Sequence, residues 1–416
     1  MTDIANADPI VVDHIPQAHR TLRIALVTET YPPEVNGVAM TLQQLVHGLH
    51  ARQHEIQLVR PRQAEQDAAR RVDGLQEVLM RGVPIPRYPE MKMGMPAHRA
   101  LLALWSRQRP DVVHIATEGP LGWSALKVAQ RLKLPVCSDF RTNFHAYSRH
   151  YGIGWLARPI MGYLRKFHNR TAFTMVPSEA LHEELREFGF ERLVTVARGV
   201  DTRQFDPARR SEALRQSWGA GPQTPVALFV GRLAPEKNLT ALVRAFVAMR
   251  ERRSDTRFVI VGDGPATVAL ASALPDATFC GTRRGEDLAA HYASADCFVF
   301  PSMTETFGNV TLEAMASGLA VLAYDHASAG QMITTGHNGL LAPLGNEEAF
   351  VGLARHLVDE PLHARRMGEQ ARLRAQEAGW ARIVSQVEEV LFKTEALARI
   401  AGTSGASAAT SPVLAR

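Results

Sequence analysis

Two glutamates eight residues apart, Glu305 and Glu313, stand in the run PSMTETFGNVTLEAMASG, directly after the apolar stretch Cys297–Phe300. That stretch reads as a buried strand, and Asn309 to Ala316 reads as a helix ended by Gly318. Glu305 then projects from a loop at a strand's carboxyl end, where open α/β sheets bind ligands. Glu313 lies about one turn inside the helix, on nearly the same side as its start. Between the two carboxylates the helix start presents N–H groups at Gly308, Asn309 and Val310, and helix starts attract anions. An anion cradle flanked by two acceptors for hydroxyls suits a sugar joined to a nucleotide diphosphate.

Arg232 and Lys237, five residues apart, follow the apolar run Val226–Val230. Two cations in a strand-end loop can converge on one diphosphate, Arg with a planar fork and Lys with a compact charge. A solvated surface pair is the plain alternative, and a place in the same sheet as the Glu305 loop favours the functional one. Gly262, in Gly262-Asp263-Gly264-Pro265, closes another strand and reads equally as a plain turn or as a contact to base or ribose. It is no dinucleotide fingerprint, because the third glycine and the downstream acid are not in place.

The amino-terminal half supplies two more loops. Gly37 precedes a helix carrying Met40, Leu42, Leu45, Val46 and Leu49, and lets backbone approach a bound group; an ordinary strand-to-helix turn would look the same. Arg141 and His145 share a loop after the apolar run Val136–Phe140 and could face the other half across a cleft. A lone histidine is most often structural, but the shared strand-end loop with Arg141 and Asn143 favours a functional place for at least one of Arg141 and His145.

These loops need a scaffold. Apolar runs alternate with helical patterns, which argues for α/β architecture with two doubly wound parallel sheets. The runs are Arg23–Glu29, Ile56–Val59, Val112–Ala116, Val136–Phe140, Phe173–Val176 and Leu193–Val196, then Val226–Val230, Phe258–Val261, Ala277–Cys280, Cys297–Phe300 and Ala320–Ala323. With 416 residues the chain has room for two full cores. The division expected is 20–205 and 206–379, with a final helix near 380–398 packing back on the first domain and polar tails at 1–19 and 402–416. Arg198 to Pro207 reads as a turn-rich linker. The loops around Glu55–Pro96 show no decodable pattern; Lys92 to Met95 is expected to be flexible and part of the acceptor entrance.

Charge is uneven: residues 1–205 hold 26 Lys/Arg against 20 Asp/Glu, the remainder 21 against 22. No acid occurs from Phe140 to Ser178, while Arg141, Arg149, Arg158, Arg165, Lys166 and Arg170 do. This favours an anionic partner, phosphate or an anionic lipid surface. Nucleic acid is set aside, for no helix-turn-helix, zinc-finger spacing or basic arm occurs. In Tyr151–Thr171 an apolar stripe of Trp155, Leu156, Ile160, Tyr163, Leu164 and Phe167 fits either packing on the sheet or an interfacial helix, and both hold if only its basic edge meets a membrane. Without a signal segment, a spanning stretch or an even cysteine count (Cys137, Cys280 and Cys297), the expectation is a reduced cytoplasmic protein, peripheral at most to the inner face of the plasma membrane.

Taken together, GVDTRQF, GRLAPEKN, VGDGP and TETFGNVTLEAMASG, in that order, resemble the retaining glycosyltransferases of family 4, whose GT-B architecture sets two Rossmann-like domains across a cleft. The likeness spans about Arg23 to Ala398, and the SDFRTNFHAYSRHYG stretch is most similar to GDP-mannose-dependent α-mannosyltransferases and diacylglycerol glycosyltransferases. The resemblance implies that Arg232 and Lys237 grip the donor diphosphate. Glu305 would bind donor-sugar hydroxyls and Glu313 the ribose. Gly37 would border the diphosphate from the other domain, and the amides from Phe307 to Val310 would support phosphate and sugar. Many members carry histidine where Arg141 stands, so Arg141 and His145 compete for the contact to the sugar or its phosphate.

The implied reaction moves a hexose, with retained configuration, to a hydroxyl of a lipid or lipid-linked glycan. GDP-mannose is the first expectation for the donor, then UDP-glucose or a UDP-uronic acid. No Asp-x-Asp pair occurs, so no metal cofactor is expected. A nucleotide-sugar epimerase, a nicotinamide oxidoreductase and a non-catalytic binding protein are the competing classes; the first would isomerise donor without acceptor.

Overall fold

The computed structural model describes residues 20–407 apart from 35, 65, 86–87, 142–156 and 306. Within that range the parallel strands are near-continuous apolar runs, as strands covered on both faces must be. Val226–Val230, Cys297–Phe300 and Ala320–Tyr324 are buried at every position.

The carboxy-terminal sheet has six strands in spatial order Thr278–Gly281, Arg257–Val261, Val226–Val230, Cys297–Phe300, Ala320–Tyr324 and Leu340–Ala342, all parallel. Numbered along the chain this is 3-2-1-4-5-6. The order reverses between Val226–Val230 and Cys297–Phe300, so the loops after these two strands part and leave a crevice.

The amino-terminal sheet has eight strands, in order Leu193–Thr195, Phe173–Val176, Val136–Asp139, Val112–Ile115, Arg23–Val27, Glu55–Pro61, Leu75–Met80 and Arg71–Val72. Only the last pair is antiparallel. Its reversal falls between Arg23–Val27 and Val112–Ile115. The two lobes are the Rossmann-like pair of a GT-B fold.

Several sequence expectations change. Leu75–Met80 is a strand missed because LQEVLM does not alternate: Gln76 and Glu77 separate Leu75 from the apolar Val78, Leu79 and Met80. Leu340–Ala342 was too short to register. Lys92 to Gly94, expected to be flexible, lies in the strand Tyr88–Gly94 paired with Gly82–Ile85. Met40 is 44% exposed, whereas Leu42, Leu45, Val46 and Leu49 are buried. In the helix Ala157–His168 the buried face is Met161, Leu164, Phe167 and His168. Tyr163 is 43% exposed, with its hydroxyl donating to the Glu118 carbonyl at 2.6 Å. Trp155 and Leu156 lie outside the described residues.

The lobes meet at two chain crossings. Val200 and Phe205, expected in the first domain or its linker, are buried in the second core, Phe205 edge-on to Tyr292. The Val200 N–H donates to the Ala378 carbonyl at 3.0 Å, so the outgoing and returning chains run side by side. The returning helix, Trp380–Ser407, extends past Gly402, where a tail was expected. It inserts Ile383, Val384, Val387, Val390 and Leu391 into the first lobe's core. A Cβ on Gly48 would stand 2.4 Å from Val384, so only glycine admits the helix this closely.

A polar latch holds that helix. The Leu22 N–H donates to His54 Nδ1 at 3.0 Å, which leaves Nε2 to donate to Glu388 at 2.8 Å. Arg52 donates to the other Glu388 oxygen at 2.5 Å. Hydrogen bonds to charged groups are worth about 1.5–3 kcal/mol. Glu388→Ala is therefore expected to destabilise the first lobe by about that amount, read as faster amide exchange in 23–27, while the exposed Glu389→Ala leaves exchange unchanged.

Candidate active site

The site is assembled from strand ends. After Val226–Val230 the chain makes a short turn, Pro235–Lys237, that Asn238 closes in the left-handed region at φ 53°. After Cys297–Phe300 the Thr304 hydroxyl donates to the Glu236 carbonyl at 3.2 Å, tying the two diverging loops together. This brings Lys237 Nζ onto Glu305 Oε1 in an ion pair, with Nζ also 5.6 Å from the centre of the Phe300 ring. Ser302 donates to the same Glu305 oxygen at 2.8 Å.

Burial by itself would raise the Glu305 carboxyl; the charge of Lys237, its hydrogen bond, Ser302 and the charge of Arg198 together hold it below its ordinary value. The carboxylate is thus ionised and fixed in direction. Arg232 pairs with Glu236, a buried carboxylate from its own turn, and remains 41% exposed at the crevice.

The helix Asn309–Ala316 starts from Gly308, whose φ of 89° suits glycine, and no side chain caps it. Ser328 braces the turn: its N–H donates to the Phe307 carbonyl at 2.8 Å and its hydroxyl to that of Gly308 at 3.0 Å. A Cβ on Gly308 would stand 3.4 Å from Glu305 Cγ, so the helix start lies beside Glu305. One turn on, Glu313 accepts from the Tyr292 hydroxyl at 3.0 Å. Burial pushes the Glu313 carboxyl up to about 7, which the Tyr292 bond only partly offsets.

Across the cleft, Asn36 caps the helix Gly37–Ala51 by accepting from Val38 and Ala39 at 3.1 and 2.8 Å. A Cβ on Gly37 would stand 3.7 Å from Asn309 Nδ2, so the two lobes' helix starts face each other. Arg141 is 10% exposed and clamped by Asp139, with Nε at 2.7 Å and Nη2 at 2.6 Å from Oδ2. His114 Nε2 meets the same oxygen at 2.8 Å. Against burial, which would raise it, Arg141 and His114 bring Asp139 down to about 2.

The structure thus brings Lys237, Glu305 and Gly308 together, sets Gly37 against Asn309, and joins Arg141, Asn309 and Phe307 through Arg198. Arg232 lies in the Lys237 loop against Glu236, and Glu313 lies one turn into the Asn309 helix against Tyr292. Gly262 has a packing role: a Cβ there would stand 1.9 Å from the Gly231 carbonyl oxygen, so glycine lets the two strand-end loops touch. His145 lies outside the described residues. Among the described residues no cluster of His, Cys, Asp or Glu could hold a metal ion.

Comparison with known proteins agrees with this architecture. The Glycosyltransferase Family 4 profile matches residues 35–204, and that of Glycosyl transferases group 1 matches 224–360. A GDP-mannose-dependent alpha-mannosyltransferase of Mycobacterium tuberculosis is 37% identical over 82% of this chain and 89% of its own. The chain belongs to glycosyltransferase family 4. Its hexosyltransferase relatives also include an alpha-monoglucosyldiacylglycerol synthase of Streptococcus pneumoniae, 27% identical over 75% of this chain and 73% of that protein. Among solved structures, sucrose-phosphate synthase from Thermosynechococcus elongatus superposes with a TM-score of 0.73 at 19% identity, covering 90% of this chain and 99% of that one. An Anabaena protein in complex with UDP-glucose gives 0.70 at 17%, covering 89% and 100%. At these identities the likeness concerns the fold.

Sequence reasoning missed several groups that shape this family-4 site: Glu236, Asp139 with His114, Tyr292, Ser302, Ser328 and Arg198. Each acts through a contact distant in sequence or through a side chain common on any surface. Arg198 alone left a signal, a cation directly before GVD in a stretch otherwise read as linker.

Two measurements probe the site. Removing one preorganised charge donor from a transition state costs about 10²–10³ in turnover. Lys237→Ala is expected to lose at least two orders of magnitude at saturating donor, and near-normal turnover would make it a surface cation. Glu313, raised above its unfolded value, binds more protons folded than unfolded between about 4.5 and 7. The stability that Glu313 contributes therefore falls as pH rises through that window. Glu313→Gln removes that contribution, so its stability relative to wild type is expected to increase from pH 5 to pH 8 in denaturant titrations.

Proposed function

We propose that this transferase moves mannose from GDP-mannose to a hydroxyl of a membrane lipid or lipid-linked glycan, with retained anomeric configuration. The observation that carries the reading is the crevice at the strand-order reversal, where Lys237 and an uncapped helix start lie against an ionised Glu305 and Arg232 stands in the Lys237 loop. A pyrophosphate needs such positive groups, and a hexose needs a fixed carboxylate beside them. Relatives named GDP-mannose-dependent alpha-mannosyltransferase, at 37, 35 and 33% identity, support the choice of donor.

In this reading Lys237 and Arg232 hold the diphosphate, Glu305 aligns the mannose hydroxyls and Glu313 receives those of the ribose. Arg141, fixed by Asp139, approaches from the first lobe. Positive groups placed before the reaction need no reorganisation as charge builds on the leaving phosphate. They stand where a divalent metal would otherwise act, so the reaction runs without one. The leaving phosphate takes the acceptor proton on the same face, which accounts for retention without a protein nucleophile and depends mainly on orientation.

A lipid acceptor is supported by the alpha-monoglucosyldiacylglycerol synthases among the relatives. It also fits the exposed Arg158, Arg165, Lys166 and Arg170 on and after the helix Ala157–His168. These would meet anionic headgroups from the cytoplasmic side. Among the described residues no helix is long and apolar enough to cross a membrane.

A ligand that binds only the folded state raises its melting temperature by mass action. In a panel of GDP-, UDP- and ADP-sugars, GDP-mannose is expected to give the largest rise, and mannosyl transfer to proceed in excess EDTA with α-linked product by NMR. A larger rise with a UDP-sugar would reassign the donor, and loss of activity in EDTA restored by Mg²⁺ would overturn the metal-free account.

A further inference from the structure

Arg198 lies between the last strand of the first sheet and Val200, the first residue of the second core. It is 7% exposed. One guanidinium nitrogen, Nη2, donates to the Arg141 carbonyl of the first lobe at 3.3 Å. The other, Nη1, donates to Asn309 Oδ1 of the second lobe at 3.5 Å. The guanidinium carbon stands 5.8 Å from the centre of the Phe307 ring. A Cβ on Gly37 would lie 3.8 Å from Nη1. Arg198 is also one of the charges holding the Glu305 carboxyl down. Its surroundings are therefore the proposed donor site itself, drawn from both lobes.

This position is electrostatically unusual. Helix starts carry partial positive charge and disfavour a nearby cation, yet Arg198 lies between the starts of Gly37–Ala51 and Asn309–Ala316. Lys237 adds further positive charge through the Glu305 it shares with Arg198. A buried cation in that place gains most when an anion enters. The planar guanidinium fork matches a phosphate in two-point contact.

We infer that Arg198 is a third phosphate-binding cation, contacting the sugar-side phosphate of the donor and joining the two lobes around it. The inference rests on the nucleoside-diphosphate-sugar reading of this crevice. Glu305 marks the hexose end of the donor and Glu313 the ribose end. Arg198 lies on Asn309 and beside Phe307, at the helix start whose Gly308 abuts Glu305, which assigns it the phosphate next to the hexose. Since its two hydrogen bonds run to opposite lobes, donor contact through Arg198 also favours the closed arrangement of the lobes.

The experiment compares GDP with GMP by titration calorimetry on wild type, Arg198→Ala and Arg198→Lys; UDP and UMP replace them if the donor panel selects uridine. Wild type is expected to bind the diphosphate at least tenfold more tightly than the monophosphate. In Arg198→Ala that ratio should fall at least fivefold, with monophosphate affinity within twofold of wild type, and Arg198→Lys should retain an intermediate ratio. Variants that keep the wild-type ratio, or weaken both nucleotides equally, overturn the phosphate contact and leave Arg198 an interlobe strap. If Arg198→Ala does not fold, an unchanged ratio in Arg198→Lys is equally decisive, because an ammonium cannot reproduce the two-point fork. Wild type that fails to distinguish diphosphate from monophosphate sinks the donor reading first, and this inference with it.

Discussion

Two loops that leave neighbouring parallel strands in opposite directions must open a crevice, and a lysine and a glutamate meet in it. Lys237 and Glu305 are both largely buried, so neither charge is tolerated there alone. At about 4 Å and an effective dielectric constant near 20 their attraction is on the order of 4 kcal/mol, against a desolvation penalty of several kcal/mol per ion. The pair is therefore no great source of stability. It fixes two opposite charges in position, which under the proposed function leaves the lysine to a phosphate and the glutamate to a sugar hydroxyl. Ser302, Thr304 and Phe300 act on this pair, and the Asn309 helix start lies beside it.

The same logic recurs across the cleft. Asp139 is ionised in a buried setting because Arg141 and His114 share one of its oxygens, and the bond fixes where the Arg141 guanidinium points. Both lobes thus hold a cation by a carboxylate at a strand end. Glu313 differs: Tyr292 satisfies one oxygen and no cation offsets its burial, so its protonation follows pH in the neutral range until a ligand supplies donors.

The lobes are joined at a narrow seam. The outgoing chain near Val200 and the returning chain near Ala378 are hydrogen-bonded neighbours, and a Cβ on Gly199 would stand 2.7 Å from the Trp380 ring. Arg372 reinforces this region by donating to the carbonyls of Thr202, Phe205 and Ala316 while pairing with Asp206. Side-by-side crossings leave one axis about which the lobes can turn, as domain closure requires. The last helix is built into the first lobe's core and moves with it.

What could be read from residues alone was whatever depends on neighbours in sequence. Strands buried on both faces announce themselves as apolar runs, and Val226–Val230, Phe173–Val176 and Cys297–Phe300 have the limits expected. The Asn309 helix, its glycine stop and the spacing of Glu305 and Glu313 are equally local. Strand order is not local, and it alone placed the Arg232–Lys237 loop against the Glu305 loop. Contacts between distant stretches decided the rest: Gly262 against Gly231 within the second lobe, and Arg198 between Arg141 and Asn309 across the seam. Such pairs are up to 111 residues apart, and a side chain's charge carries no record of which distant backbone will fold beside it.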